Sequence, residues 1–299
     1  MPLKVAVGHA SLTGPRERNE DYCGVATPDG LELENKGVLA AVADGIGGHK
    51  GGREAAEYTV RGLLADYFAT PDTWSVPRAI EAVTTALNRW VMAEASRNAE
   101  LAGMATTLSG LVLRGRRFYT AHIGDSRIYR IRDGRLDLLT VDHIWEHPEL
   151  KNVLSRAIGL DPRVLMDFAD GELATNDRFL LVTDGVWGVL PDALTVEVLL
   201  DHPVPQAAAA ALTSLALAQG GHDNATAVVV DVLALPGPGL RDSLERAASL
   251  VIPRRLKVGH EIDGLIVEEV LHDARETLLY RVRNERNGQQ LVLKTLQPR

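Results

Sequence analysis

Gly37-Val38-Leu39-Ala40-Ala41-Val42-Ala43-Asp44-Gly45-Ile46-Gly47-Gly48-His49 is a near-continuous apolar run that breaks at an aspartate and then dissolves into glycines. The run reads as a β-strand. Asp44 stands at its end, where a sheet holds a carboxylate rigidly yet leaves it at the solvent rim. Beyond the glycines, Arg53 to Leu64 carries apolar residues at helical spacing, so the stretch reads as strand, tight turn, helix.

Three other aspartates repeat this placement at the edges of apolar runs: Asp125 in His122-Ile123-Gly124-Asp125-Ser126-Arg127, Asp184 in Leu181-Val182-Thr183-Asp184-Gly185, and Asp223 in Gly221-His222-Asp223-Asn224. Asp44 and Asp184 each open an Asp-Gly turn. Several strand-end carboxylates together form an oxygen-rich site suited to Mg²⁺ or Mn²⁺, and hence to metal-assisted chemistry on phosphate. Glycine at position 45 lets the backbone approach an ion closely and a main-chain carbonyl serve as a ligand, the lesser alternative being a simple tight strand-to-helix turn. His49 reads as a hydrogen-bonding residue rather than a ligand. Arg16-Glu17-Arg18-Asn19-Glu20-Asp21 reads by itself as a charged surface turn, but Arg16 has the planar fork for bidentate phosphate contact, and the segment would share a rim with Asp44.

Strands are also expected at Lys4 to Ala10, Tyr22 to Ala26, Phe179 to Thr183 and Ala225 to Leu233. Thr106 to Leu113, Arg117 to Ile123 and Arg127 to Ile131, separated by glycine-containing turns, read as a β-meander. Helices are expected from Pro77 to about Asn98, over Asp192 to Leu200, over Val204 to Gln219, and as a short piece from roughly Pro148 to Ala157. Strands grouped around paired helices point to an α+β layered sandwich with both sheet faces covered. At Leu235-Pro236-Gly237-Pro238-Gly239 the pattern breaks, which divides the chain into a domain over 1–235, a linker over 236–258 containing a short helix from Arg241 to Leu250, and a β-rich segment over 259–299. Some forty residues of hairpins cannot bury a core of normal size.

Composition excludes several classes. The 299 residues carry a formal charge of -8 and no basic stripe interleaved with aromatics, so nucleic acid is not an expected partner. No signal peptide is evident, and the longest apolar-looking run, Ala207 to Ala218, is shorter than the ~20 residues that span a bilayer. Cys23 is the single cysteine, and no arginine-closed phosphate loop follows it, so it reads as a packed thiol in a reduced, cytoplasmic protein.

Six ordered motifs over residues 1 to about 233 together resemble the metal-dependent serine/threonine protein phosphatases (PPM, type 2C) of bacterial type. They are Arg16-x-x-Asn19-Glu20-Asp21, Asp44-Gly45-x-Gly47-Gly48-His49, Gly103-Met104-x-Thr106-Thr107, Gly124-Asp125-Ser126-Arg127, Thr183-Asp184-Gly185-Val186-Trp187 and Asp223-Asn224-Ala225-Thr226. The resemblance implies a four-layer α-β-β-α sandwich of two antiparallel sheets flanked by helices, with two to three Mn²⁺ or Mg²⁺ ions at one end. It implies that Asp44 bridges two ions, that Gly45 offers its carbonyl to one, and that Asp184 and Asp223 bind the other. Asp125, with Asp184, would form a third and weaker site; Glu20 and Asp21 would act on the waters of the first ion, and Arg16 would hold the substrate phosphate. The implied substrate is a phosphoserine or phosphothreonine protein.

This chain departs from the family pattern twice. Ile46 stands where some members carry a histidine suited to protonating the leaving group, so a water or another group must do that work. His147-Pro148 follows Leu139-Thr140-Val141-Asp142-His143 almost at once, which implies a shortened flap and bears on selectivity and on the third ion. These departures motivate a rival reading, a phosphoprotein-binding module with this fold and little turnover. A phosphatase for a small anti-sigma-type antagonist is an enzyme alternative that the sequence does not separate. The tail, Glu261-Ile262-Asp263-Gly264 followed by three strands, resembles the opening of a protein kinase amino-terminal lobe, with Lys294 in the place of the phosphate-binding lysine. It lacks the glycine-rich loop, so the expectation is a part of a bifunctional phosphatase-kinase, with the kinase as cognate partner, or else an accessory hairpin extension.

Overall fold

The computed structural model describes residues 2–46, 51–145, 153–239 and 252–297, and divides into two compact units, Met1–Gly239 and Leu240–Arg299. In the first unit the chain runs β1 (Lys4–Leu12), β2 (Tyr22–Ala26), α1 (Gly30–Lys36), β3 (Val38–Ala43), β4 (Gly45–Ile46), α2 (Gly51–Ala69) and α3 (Val76–Arg97). It continues through β5 (Ala105–Thr106), β6 (Leu108–Arg114), β7 (Arg117–Ile123), β8 (Arg127–Arg132), β9 (Arg135–Leu138), β10 (Asp167–Glu172) and β11 (Arg178–Val182). It closes with α4 (Asp184–Trp187), α5 (Asp192–Asp201), α6 (Pro205–Ala218) and β12 (Ala225–Ala234).

Two five-stranded antiparallel sheets form, in the orders β1-β12-β11-β8-β9 and β10-β7-β6-β3-β2. Alternation along β3 explains how they stack. Leu39, Ala41 and Ala43 pack with Val60, Leu63 and Ile80 of α2 and α3, whereas Val38, Ala40 and Val42 pack with Phe179, Val228 and Val230 of the other sheet. In β12 the same alternation sends Ala225, Ala227 and Val229 to α5 and α6. Both strands are buried on both faces, which is why they read as unbroken apolar runs. The fold is the expected four-layer α-β-β-α sandwich.

The meander is corrected. β6 and β7 pair, and β8 and β9 pair, but β8 joins β11 in the opposite sheet, so Gly124-Asp125-Ser126 is a crossover between sheets rather than a hairpin turn. β9 and β10 were not anticipated because both are sheet edges; β10, Asp-Phe-Ala-Asp-Gly-Glu, is exposed along nearly its whole length and shows no apolar period. The short helix expected from Pro148 is also corrected where it is described: Leu154 bridges Ile144, and the Trp145 N–H donates to the Val153 carbonyl, a strand-like pairing. Its first half, like Gly47, Gly48, His49, His147, Pro148 and the helix expected from Arg241 to Leu250, lies outside the described residues.

The second unit is a four-stranded antiparallel sheet of β13 (Glu261–Ile262), β14 (Leu265–Asp273), β15 (Thr277–Asn284) and β16 (Gln290–Leu296). Val267, Leu278, Tyr280 and Val282 are its buried core among the described residues. Lys294 lies on β16 opposite Leu279, with its side chain exposed.

Candidate metal centre

Antiparallel pairing brings the acidic strand ends to one rim. Ala43 at the end of β3 faces Tyr22 at the start of β2, Ile123 at the end of β7 faces Leu108, and Val182 at the end of β11 faces both Ala227 and Arg127. Glu20 and Asp21 before β2, Asp44 after β3, Asp125 after β7, Asp184 after β11 and Asp223 before β12 are therefore neighbours by topology.

Each is held by its own set of bonds. The Asp44 N–H donates to the Thr107 hydroxyl at 2.9 Å, and its carbonyl accepts from the Thr107 N–H at 2.9 Å and the Thr106 hydroxyl at 2.8 Å. The Asp44 and Asp184 carboxyls lie close to each other. Asp21 is buried, with Oδ2 accepting from the Thr183 hydroxyl at 2.8 Å. Asp223 Oδ2 accepts from Arg16 Nη2 at 2.6 Å, and Arg16 Nε donates to the His222 carbonyl at 3.2 Å. The Asp125 carbonyl accepts from Trp187 Nε1 at 3.0 Å. Gly45 is buried so tightly that a Cβ there would sit 2.1 Å from the Gly52 carbonyl oxygen; one at Gly52 would meet Glu20 Oε2 at 2.8 Å. The Glu20 carboxylate thus lies beside the Gly45 turn.

Like charges crowded out of water raise their own pKa values. Burial pushes Asp21 from an ordinary 3.8 up to about 7, with Asp184 and Asp223 adding repulsion and the Thr226 and Thr183 hydroxyls opposing it. Asp125 also rises to about 7, first through burial and then through Asp184 and Asp142. Asp44 lies well above the carboxylate range through burial and the proximity of Asp21, Asp184, Asp125 and Asp223. Burial and Asp223 raise Asp184, and burial, Asp223 and Glu54 raise Glu20 against the pull of Arg16.

Among the described residues no three acidic, imidazole or thiol groups converge as a finished ligand shell; the carboxylates crowd one another, and Asp223 pairs with Arg16. The donor set nonetheless fits a hard divalent cation. All its members are oxygens, Asp21 Oδ1 and Asp184 Oδ1 are buried without hydrogen-bond partners, and the burial and mutual repulsion that raise four aspartates are what a divalent charge offsets.

The supporting residues went unassigned in the sequence reading. The Asn224 side chain accepts from the Glu20 N–H at 2.7 Å and donates to the Thr13 and Arg18 carbonyls. Arg53 Nη1 donates to the Asp21 carbonyl at 2.7 Å and to that of Asn19 at 3.3 Å, with its guanidinium over the Tyr22 ring. Asn224, Thr107 and Thr183 sit inside the quoted motifs, which is the one sign of them in the sequence; Arg53 looks like any exposed helix residue.

Two antiparallel sheets between helical layers, with six carboxylates gathered at one rim beside an arginine, define the chain as an enzyme of the protein serine/threonine phosphatase class. Residues 15–218 match protein phosphatase 2C, and the chain belongs to that family. Similar proteins include the serine/threonine phosphatase stp of Listeria innocua, 31% identical over 72% of this chain and 91% of that protein. Among solved structures, the catalytic domain of serine/threonine protein phosphatase PstP in complex with two manganese ions is 31% identical, with a TM-score of 0.66 over 78% of this chain and all of that one. Stp1 from Staphylococcus aureus, at 25% identity, gives a TM-score of 0.70 over 78% of this chain and 98% of that one. No helix among the described residues is long and apolar enough to cross a membrane.

Proposed function

We propose that this protein hydrolyses phosphoserine or phosphothreonine on a protein substrate with two to three Mn²⁺ or Mg²⁺ ions held by Asp44, the Gly45 carbonyl, Asp184, Asp223 and, more weakly, Asp125. The observation that carries the proposal is the rim of mutually repelling, buried carboxylates, two of which keep an oxygen without a partner. Bound ions supply an activated water nucleophile near neutral pH and offset charge on the phosphoryl oxygens. Arg16, exposed at the rim, presents its fork to the substrate phosphate. Asp21 Oδ1 is the atom that accepts a hydrogen bond from water, because Oδ2 already serves Thr183, and Glu20 does the same beside Gly45. Ile46 carries no acidic proton, so a water or another group protonates the leaving oxygen.

Within this proposal the phosphatase domain spans 1–235 and residues 236–258 form a linker. The β-rich segment 259–299 is read as the start of a kinase-like lobe, supported by three successive antiparallel strands with Lys294 on the third. The test of the main reading is phosphate release from a phosphothreonine peptide with and without Mn²⁺. Metal-dependent turnover that falls by roughly 100-fold or more in Asp44→Asn is the expected result. Tight phosphoprotein binding with no phosphate release at saturating Mn²⁺ would replace it with the binding-module reading.

A further inference from the structure

Outside the carboxylate rim, one buried polar cluster ties it to the segment that follows Asp142. His143 is 6% exposed. Its N–H donates to the Gly124 carbonyl at 2.7 Å, and the Gly124 N–H donates to its Nδ1 at 3.1 Å, so the two residues clasp each other through backbone and ring. A lone pair on Nδ1 puts the ring proton on Nε2, which faces Asp167 Oδ2 at 3.1 Å; Arg156 Nη1 donates to the other oxygen of that carboxylate at 3.1 Å. His122 lies against the ring at 4.9 Å between centroids, with its Nε2 3.0 Å from the Val141 carbonyl.

What the clasp holds is the crossover that presents Asp125. Gly124 has φ +111°, and a Cβ there would sit 2.5 Å from Thr107, so the peptide is pressed onto the same threonine that binds the Asp44 backbone. A Thr107–Ser126 hydroxyl contact of 2.7 Å grips the other side of Asp125. Asp44, Asp184 and Asp223 receive no bond from His143: Asp44 is anchored by Thr106 and Thr107, of which only Thr107 also touches the Gly124 peptide, and Asp223 by the Asn224 N–H and Arg16.

We propose that His143 is a positioning residue for Asp125: through Nδ1 and its backbone it fixes the Gly124 peptide, and so selectively sets the affinity of the most weakly held ion. The inference rests on the reading of Asp125 as a ligand, and the experiment separates the two. Mn²⁺ binding to the full chain is followed by isothermal titration calorimetry in wild type, Asp125→Asn, His143→Ala, His143→Asn and His143→Gln, with thermal unfolding measured alongside. Asp125→Asn is expected to remove the weakest binding event. His143→Ala is expected to weaken that event roughly 10- to 100-fold, the usual loss when an outer support of a ligand is removed, and to leave the tighter events unchanged. Asparagine places an acceptor near the Nδ1 position and is expected to restore the weak event, whereas glutamine reaches the Nε2 position and is not. A purely structural histidine would instead lower melting temperature and every binding event together, or respond alike to Asn and Gln; either pattern, or an unchanged weak event in His143→Ala, overturns the proposal. A weak event that survives Asp125→Asn overturns the underlying ligand reading and the inference with it.

Discussion

Asp21 and Asp125 carry the clearest acid–base consequence in the molecule. Both are raised in the folded state from an ordinary 3.8 to about 7, so the folded protein binds more protons than the unfolded chain, and the stability these groups lend is complete below about pH 4 and lost as pH rises through about 7. Asp44 and Asp184 act in the same direction. His122, lowered by burial and by His143 to about 4, opposes them: it costs stability as pH falls from 6.5 towards 4. With Glu20, also raised, five carboxylates against one imidazole give a net loss of stability as pH rises. Melting temperature in EDTA is therefore expected to fall between pH 5 and 8, and Mn²⁺ to reverse the fall; a flat or rising profile in EDTA would contradict the clustering. Asp184→Asn is expected to abolish turnover while the protein in EDTA at pH 8 melts no lower than wild type, because the substitution removes one repelling charge. Cys23 is half-buried, and burial pushes its thiol up to about 11, with Asp21 adding to the rise. Cys23→Ser should leave phosphatase activity unchanged, and the wild-type thiol should react slowly with a disulfide reagent at pH 7.5.

At the scale of elements, two devices hold the strand ends in place. The Asp44-Gly45 turn abuts α2 without room for a methyl group, so Gly45→Ala is expected to displace the Asp44 peptide and to cost activity as severely as removal of a ligand, measured by Mn²⁺-dependent phosphate release. Lys36, at the end of α1, is 3% exposed and turns its ammonium onto the C-terminal end of α2, donating to the Thr70 carbonyl at 2.5 Å, the Thr70 hydroxyl at 2.8 Å and the Pro71 carbonyl at 3.2 Å. Lys36→Met would strand those oxygens and remove a cation from a helix C-terminus, at about 2–3 kcal/mol, read from the midpoint of urea unfolding. Legibility of elements followed burial. β3 and β12, apolar on both faces, and α3, opened by Ser75 and Pro77, stood out in the sequence. The edge strands β9 and β10 did not, because an exposed edge needs no apolar period; nor did the destination of β8, since a glycine-containing turn serves a hairpin and a crossover equally well.

Across the whole chain, the two units differ in what holds them. The first buries three apolar layers, between and outside its two sheets, whereas the second has four buried core side chains among its described residues. Amide exchange on the full chain should accordingly show β14, β15 and β16 opening at lower free energy than β3 and β12, which a uniform protection pattern would refute. The order of acidic strand-end motifs, the oxygen chemistry they offer, an α+β layering with covered sheet faces and the Pro/Gly break near residue 236 were legible in the sequence alone, because each is local: a period, a turn residue, a spacing; the four-layer arrangement came from the family resemblance. Tertiary structure decided which oxygens stand without partners, that Arg16 meets Asp223, that Asn224 and Arg53 pin the Glu20-Asp21 loop, and that His143 clasps Gly124. Those facts depend on pairs of residues separated by up to 211 positions, and no local pattern records them. They arise only when antiparallel register brings the strand ends to one rim.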